Sequence, residues 1–325
     1  MRHWAKLCVA VAALAGAAAP AAPTWQPPRH VGGWPGLATG KNEAQMAASL
    51  DLGPELQRGR SAAFELAEHR RLQAALSALQ PQRPGTVDAY VIAVALDSDP
   101  VFGREAREAA KVLARRFDAG GRTIVLAGSD GSGPSALPMG DLHALTLALA
   151  RVAELMDRQE DVLVLYSTSH GAPFGITYHD GDEGYGVLTP ARLAGLLGEL
   201  GIRNRVLILS ACYSGVFVPF LKSDTTAMFT AAASDRTSFG CAADNDWTYY
   251  GDAMVNHALR KPQPLMQAGL EAMNLVAEWE LARHNEPSFP QVSFGTGVDA
   301  WLKPLEARMP KIATEPVGRP AAGSP

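Results

Sequence analysis

The sequence predicts an α/β fold, a mostly parallel sheet flanked by helices on both faces. Three observations predict it. From Val87 onward, short segments rich in Val, Ile and Leu alternate with segments of helical period, the order expected of strand–helix repeats. The strand segments are continuous apolar runs rather than in–out alternations, which marks strands covered on both faces. The chain has 325 residues, 47% hydrophobic and 19% charged, so it can fill a substantial core.

At the N-terminus, Met1 to Lys6 carries two positive charges, Leu7 to Ala19 is small and apolar, and Ala15-Gly16-Ala17 precedes Pro20. That is the pattern of a secretory signal peptide over 1–19, too short for a membrane span of about 20 apolar residues. The expected product is exported, periplasmic or secreted. Residues 20–41 contain Pro, Gly and Trp without a period and read as a flexible leader. Residues 42–84 read as an N-terminal helical segment. There AAFELAEHRRLQAALSAL places Phe64, Leu66, Ala67, Leu72, Ala75, Leu76 and Leu79 near one face, before Pro81 and Pro84 close the helix.

The main domain spans 85–303. VDAYVIAVAL (87–96), RTIVLAG (122–128), DVLVLYSTS (161–169), RVLILSAC (205–212) and TAMFTAAAS (226–234) read as strands. Between them, REAREAAKVLARRF (104–117) has Arg/Glu pairs and an apolar face. Asp141 is positioned to cap a long helix, and Thr189-Pro190 opens another in the preferred order of cap, then proline. Residues 304–325, rich in Pro, Ala and Gly, read as a disordered tail.

Composition narrows the function. Net charge is −4 and no Lys/Arg block occurs, so nothing points to nucleic acid. No apolar run after the signal is long enough to span a bilayer. GSDGSG at 128–133 lacks the spacing and lysine of a phosphate-binding loop. HDGDEG at 179–184 lacks the ligand spacing of a calcium loop and reads as a solvated turn. No metal and no cofactor is expected, and His69, His143, His257 and His284 receive no role.

Chemistry concentrates at two strand ends, where a parallel sheet binds ligands. One strand runs into His170-Gly171 and another into Ala211-Cys212. A thiol attacks as thiolate and needs an imidazole nearby. The amides of Gly171 and Cys212 are natural donors to the resulting oxyanion. Alone, either side chain reads as packing; their joint placement makes a Cys/His pair a serious candidate. A serine nucleophile elbow would need serine at Tyr213. After the signal only Cys212 and Cys241 remain, and a single bridge between them stays open at this level.

These strand ends resemble those of caspase-like cysteine peptidases, and within that group the legumain-type peptidases of family C13. The resemblance runs from about Tyr90 to Ala258 and includes TAAASDRTSFGCAADNDWTYYGD at 230–252. It implies a caspase-like fold, with Cys212 as nucleophile, His170 as general base and acid, and Gly171 with Cys212 as oxyanion donors. It places Cys241 on a second cysteine that does not bridge the nucleophile. It also implies a peptide or protein substrate with asparagine before the cut bond, held by Arg104, Thr237 or Ser238, and Asp252. An amide side chain needs both a donor and an acceptor, which such a set supplies. Three positions depart from the pattern: Ser210 replaces a pocket glutamate, Ser169 a frequent acid, and Phe102 an asparagine that supports the histidine. The expected function is thus a cysteine endopeptidase; a transpeptidase using the same pair and a non-catalytic binding domain of the same fold are the alternatives.

Overall fold

The computed structural model describes residues 29–322. The signal segment 1–19 and the leader up to residue 28 lie outside the described residues. In chain order come α1 (Glu43–Asp51), β1 (Glu55–Gln57), α2 (Ala62–Ser77), β2 (Ala89–Ala95), α3 (Pro100–Arg116) and β3 (Thr123–Leu126). Next are α4 (Leu142–Leu155), β4 (Val162–Thr168), β5 (Gly171–Ala172), β6 (Gly175–Asp180), β7 (Gly184–Leu188), α5 (Pro190–Glu199) and β8 (Arg205–Ser210). The chain continues with α6 (Val218–Leu221), β9 (Thr226–Thr230), α7 (Tyr249–Gly251), α8 (Leu265–Ala282), β10 (Gln291–Phe294) and α9 (Asp299–Arg308).

The main sheet has six strands in the order β10-β9-β8-β4-β2-β3. All pairings are parallel except that of edge strand β10 with β9. Each central strand divides its side chains between two cores. Ala89, Val91, Ala93, Val162, Val164, Tyr166, Val206 and Ile208 pack with α3, α8 and α9. Tyr90, Ile92, Val94, Leu163, Leu165, Leu207 and Leu209 pack with α2, α4 and α5 on the other side. The period of two explains why these strands read as unbroken apolar runs: both faces are buried. The expected α/β architecture is therefore the observed one. Asp141 and Thr189 cap α4 and α5 through their side chains, accepting from the amides of Ala144 and Arg192.

Other expectations need correction. Residues 42–84 are not all helical, because β1 joins β7, β6 and β5 in a separate antiparallel sheet. On α2, Leu72 is buried while Phe64 and Leu66 are exposed. HDGDEG is more than a solvated turn: Asp180 is buried in an ion pair with Arg60, 2.5 Å apart. The segment from Pro304 is not disordered over its described length. Pro304 lies inside α9, and the chain beyond it docks on the domain. Val317 accepts from Trp247 Nε1 at 2.8 Å and from Asn256 Nδ2 at 3.0 Å, while its own amide donates to Asn256 Oδ1 at 2.8 Å. The Ala321 amide donates to buried Asp252 at 2.8 Å. Isolated Pro and Gly signalled a tail, but buried polar groups elsewhere in the chain supplied its partners. Among the described residues no helix is long and apolar enough to cross a membrane.

Ending the chain at Met309 should strip Asp252, Asn256 and Trp247 of these partners. Each buried polar group left unpaired costs about 1–3 kcal/mol, so urea unfolding should show a loss of at least about 2 kcal/mol. An unchanged midpoint would show that the docked tail carries no stability.

Candidate active site

The register of β4 with β8 sets the geometry. Their last paired residues are Thr168 and Ser210, and the Ser169 amide still donates to Ser210 O at 3.2 Å. His170 and Cys212 each stand two residues beyond that last pair, so they leave the same sheet edge side by side. Gly171 packs against the nucleophile's backbone. A Cβ there would sit 2.0 Å from the Cys212 carbonyl oxygen, so no other residue fits without a shift. Immediately after Cys212 the chain turns sharply, with Tyr213 in the left-handed region at φ 58°, a strained choice for a bulky residue. The Tyr213 amide donates to Arg236 O at 2.8 Å and that of Gly215 to Ala232 O at 2.9 Å, which fastens the turn to the segment after β9. Among the described residues no acceptor engages the Cys212 amide.

Electrostatics favour a charged pair. The Cys241 thiol, acting against burial, helps hold the Cys212 thiol down to about 5, together with the Ser238 side chain and amide and the charge of His170. The Ser238 amide donates to Cys212 Sγ at 3.2 Å and its hydroxyl lies at 3.5 Å. Cys241 is pushed well up, first by its hydrogen bond to Cys212 and then by burial. Both cysteines are free thiols, so the bridge left open by the sequence is not present. Burial opposes the His170 imidazolium, but Asp99, Asp97 and the Cys212 thiolate outweigh it and raise the imidazole above its ordinary value. Asp99 Oδ2 is 3.7 Å from His170 Nε2. The Phe102 ring meets His170 edge-on, with centroids 5.1 Å apart. It positions the imidazole by packing, and Asp99 supplies the polar support that Phe102 cannot.

The expected pocket residues are only partly brought together. Ser238 touches Cys212, and Thr237 beside it is exposed. Ser210 is buried, its hydroxyl 3.1 Å from that of Thr248. Behind it, Glu105 on α3 is fully enclosed, accepting from the Tyr166 hydroxyl at 2.5 Å and the Thr248 amide at 2.8 Å. Burial raises the Glu105 pKa against these bonds. The Arg104 guanidinium donates to Asp130 O at 3.1 Å, to Ala243 O at 2.7 Å and to Asn245 O. It also lies 3.7 Å from Asp246. Asp252 is wholly buried; its oxygens accept from Asn256 Nδ2 and the Ala321 amide, with His257 Nε2 3.5 Å away. The expected substrate-facing role for Asp252 is corrected by that enclosure.

Residues 138–296 match the model of the Peptidase C13 family. Over that span the chain is similar to the peptidase C13 family. That similarity supports a cysteine-peptidase-type function, and with it a protein or peptide substrate. The crystal structure of caspase-1 from Spodoptera frugiperda is similar over 67% of this chain and 88% of that chain, at 13% identity and a TM-score of 0.43. No curated protein matches the chain.

The C13 match contains His170, Cys212, Ser210, Thr237, Ser238 and Asp252, and begins after Asp99 and Arg104. It therefore starts later and ends later than the resemblance read from the residues. Sequence reasoning missed Asp99 and Glu105. The signal for Asp99 was present in Asp97-Ser98-Asp99-Pro100, which follows a buried strand at the same edge as the other two strand ends. Glu105 gave no signal, since on α3 it belongs to a run of Arg/Glu pairs that reads as solvated.

Replacing Asp99 with Asn should lower the His170 pKa, because the removed carboxylate favours the imidazolium. Histidine NMR titration checks this; a His170 midpoint that stays put or rises would show that Asp99 does not support the ring.

Proposed function

We propose that this protein is an exported cysteine endopeptidase acting through Cys212 and His170. The observation that carries the reading is the emergence of both residues at one sheet edge, with the Cys212 thiol held down to about 5. In the first step, the Cys212 thiolate attacks the substrate carbonyl carbon. The charge moves to the carbonyl oxygen, where the Gly171 and Cys212 amides are the proposed donors. The His170 imidazolium gives its proton to the leaving amine as the peptide bond breaks, leaving a thioester on Cys212. Water then attacks the thioester, His170 takes its proton, and the thiolate departs with the imidazolium restored.

The residue before the cut bond is a separate matter. Ser238 beside the thiol and Ser210 beneath it leave a polar but uncharged lining. Arg104 already meets three backbone carbonyls and Asp246, and Asp252 is enclosed. A strict asparagine requirement read by an Arg104–Asp252 pair therefore has little support. A broader preference for small polar residues fits this lining better.

Turnover of a peptide panel varying the residue before the scissile bond, with Cys212→Ala as control, tests the reading. Loss of a nucleophile removes most catalysis, so the variant should fall by at least about a thousand-fold; equal turnover would sink the assignment. Gly171→Ala, which drives a Cβ into the Cys212 carbonyl, should cost on the order of a hundred-fold in kcat/KM. The pH profile should rise through about 5 as the thiolate forms. It should fall above the ordinary imidazole value of 6.5, where the raised His170 loses its proton. A profile that only climbs into the alkaline range would contradict a preformed ion pair.

A further inference from the structure

Beside the Cys/His pair lies a second cluster whose side chains take no direct step in the proposed hydrolysis, though Asp97 adds to the field at His170. One ligand atom from each of His30, Asp97 and His179 lies within 4.8 Å of the other two. Asp97 and His179 are fixed by backbone. The His179 amide donates to Leu96 O at 2.8 Å, and the Ser98 amide to His179 O at 2.9 Å. Asp97 is 3% exposed, with Oδ1 held by the Asp99 amide at 2.8 Å. Its Oδ2 is buried without a hydrogen-bond partner, 3.4 Å from His179 Nδ1. His179 Nε2 is likewise buried and unpaired. An orphaned carboxylate oxygen is costly in so enclosed a place, and it points toward the imidazoles.

We propose that His30, Asp97 and His179 form a binding site for a zinc-class transition-metal ion, which ties the leader to the sheet edge carrying His170. Two imidazoles and one carboxylate suit zinc with a fourth position left open, whereas calcium and magnesium prefer all-oxygen shells. Ligands at about 2.1 Å in a tetrahedron stand about 3.4 Å apart, and the His179–Asp97 edge already has that length. His30 closes the third side. It meets His179 edge-on with centroids 4.5 Å apart, and Trp34 and Tyr185 wall the same imidazole at 5.6 and 5.2 Å. The Asp97 oxygen fixed by the Asp99 amide orients the other toward the ion, as outer hydrogen bonds do for metal ligands. A cavity of about 320 Å³, lined in part by Asp97, Ser98 and His179, gives an entry path.

The leader's contacts make the site consequential. The Val31 and Gly32 amides donate to Asp182 Oδ1 at 3.1 and 2.6 Å. His30 Nε2 lies 3.0 Å from Ser98 Oγ and 3.6 Å from Asp99, the carboxylate that supports His170. An ion held by His30 thus pins the leader beside the supporting carboxylate, without itself needing Cys212.

The test uses the full chain carrying Cys212→Ala, which removes the thiolate as a competing ligand. Zinc should bind at one equivalent per chain by calorimetry, and cobalt should give the visible bands of a tetrahedral site. Adding His30→Ala or His179→Ala should weaken zinc at least ten-fold and abolish those bands, while His69→Ala on exposed α2 should change neither. His30→Ala removes a leader side chain and spares the core, so loss of binding there is not a folding failure; circular dichroism confirms it. Zinc should also slow protease cleavage within residues 29–41, except in His30→Ala. Failure of the Cys212→Ala chain to bind zinc, or equally tight binding after both histidine replacements, overturns the proposal. Tight binding unaffected by His30→Ala overturns the leader's part in it. Because the background lacks Cys212, none of these results depends on peptidase activity.

Discussion

The parallel pairing of β4 with β8 is the constraint on which the rest of the candidate site depends. Residues Leu163 to Thr168 run in register with Arg205 to Ser210, and every one of them except Arg205 is buried. A slip of one residue would turn Leu207 and Leu209 out of one core and Val206 and Ile208 out of the other. Both cores therefore enforce the register. The residues beyond the last pair inherit that precision: His170 and Cys212 emerge together because the apolar strands behind them cannot slide. The close approach of Gly171 to the Cys212 carbonyl and the left-handed Tyr213 belong to the same junction.

Charge at the junction is set by short-range donors more than by exposure. Neutral donors from Ser238 and Cys241 surround the sulfur, and a half-exposed imidazole supported by Asp99 stands beside it. Two separate elements hold the histidine. Phe102 fixes the ring by edge contact while the carboxylate comes from the preceding turn. A similar substitution of source operates beneath Ser210. The carboxylate behind that position belongs to Glu105 on α3 and reaches it through Thr248, so the charge is withdrawn into the core.

The parts of this arrangement that were legible in the sequence are those governed by local rules. Buried strands announce themselves as apolar runs, Asp141 and Thr189 announce helix starts, and His-Gly and Ala-Cys mark where two strands stop. The illegible parts depend on partners far along the chain. Glu55–Gln57 becomes a strand only because β7 offers an edge. Val317 and Ala321 are ordered only because Asn256, Trp247 and Asp252 need partners. Asp252 reads as a pocket acid only through the resemblance of residues 230–252 to the legumain-type peptidases, yet burial and the docked tail decide its role. His30, Asp97 and His179 are scattered through the leader and two strand edges, a spacing that no linear motif describes.

Everything proposed for the site requires Cys212 to be ionised at neutral pH because of its surroundings. The most direct measurement is the ultraviolet thiolate absorbance of the protein followed against pH, with the same titration of Cys212→Ala subtracted. Cys241, pushed upward, contributes nothing in the acidic range. A single transition near 5 is the expected result. A midpoint near the ordinary thiol value of about 8.5 would contradict it, because Cys212 would then be an unactivated thiol at the end of a strand.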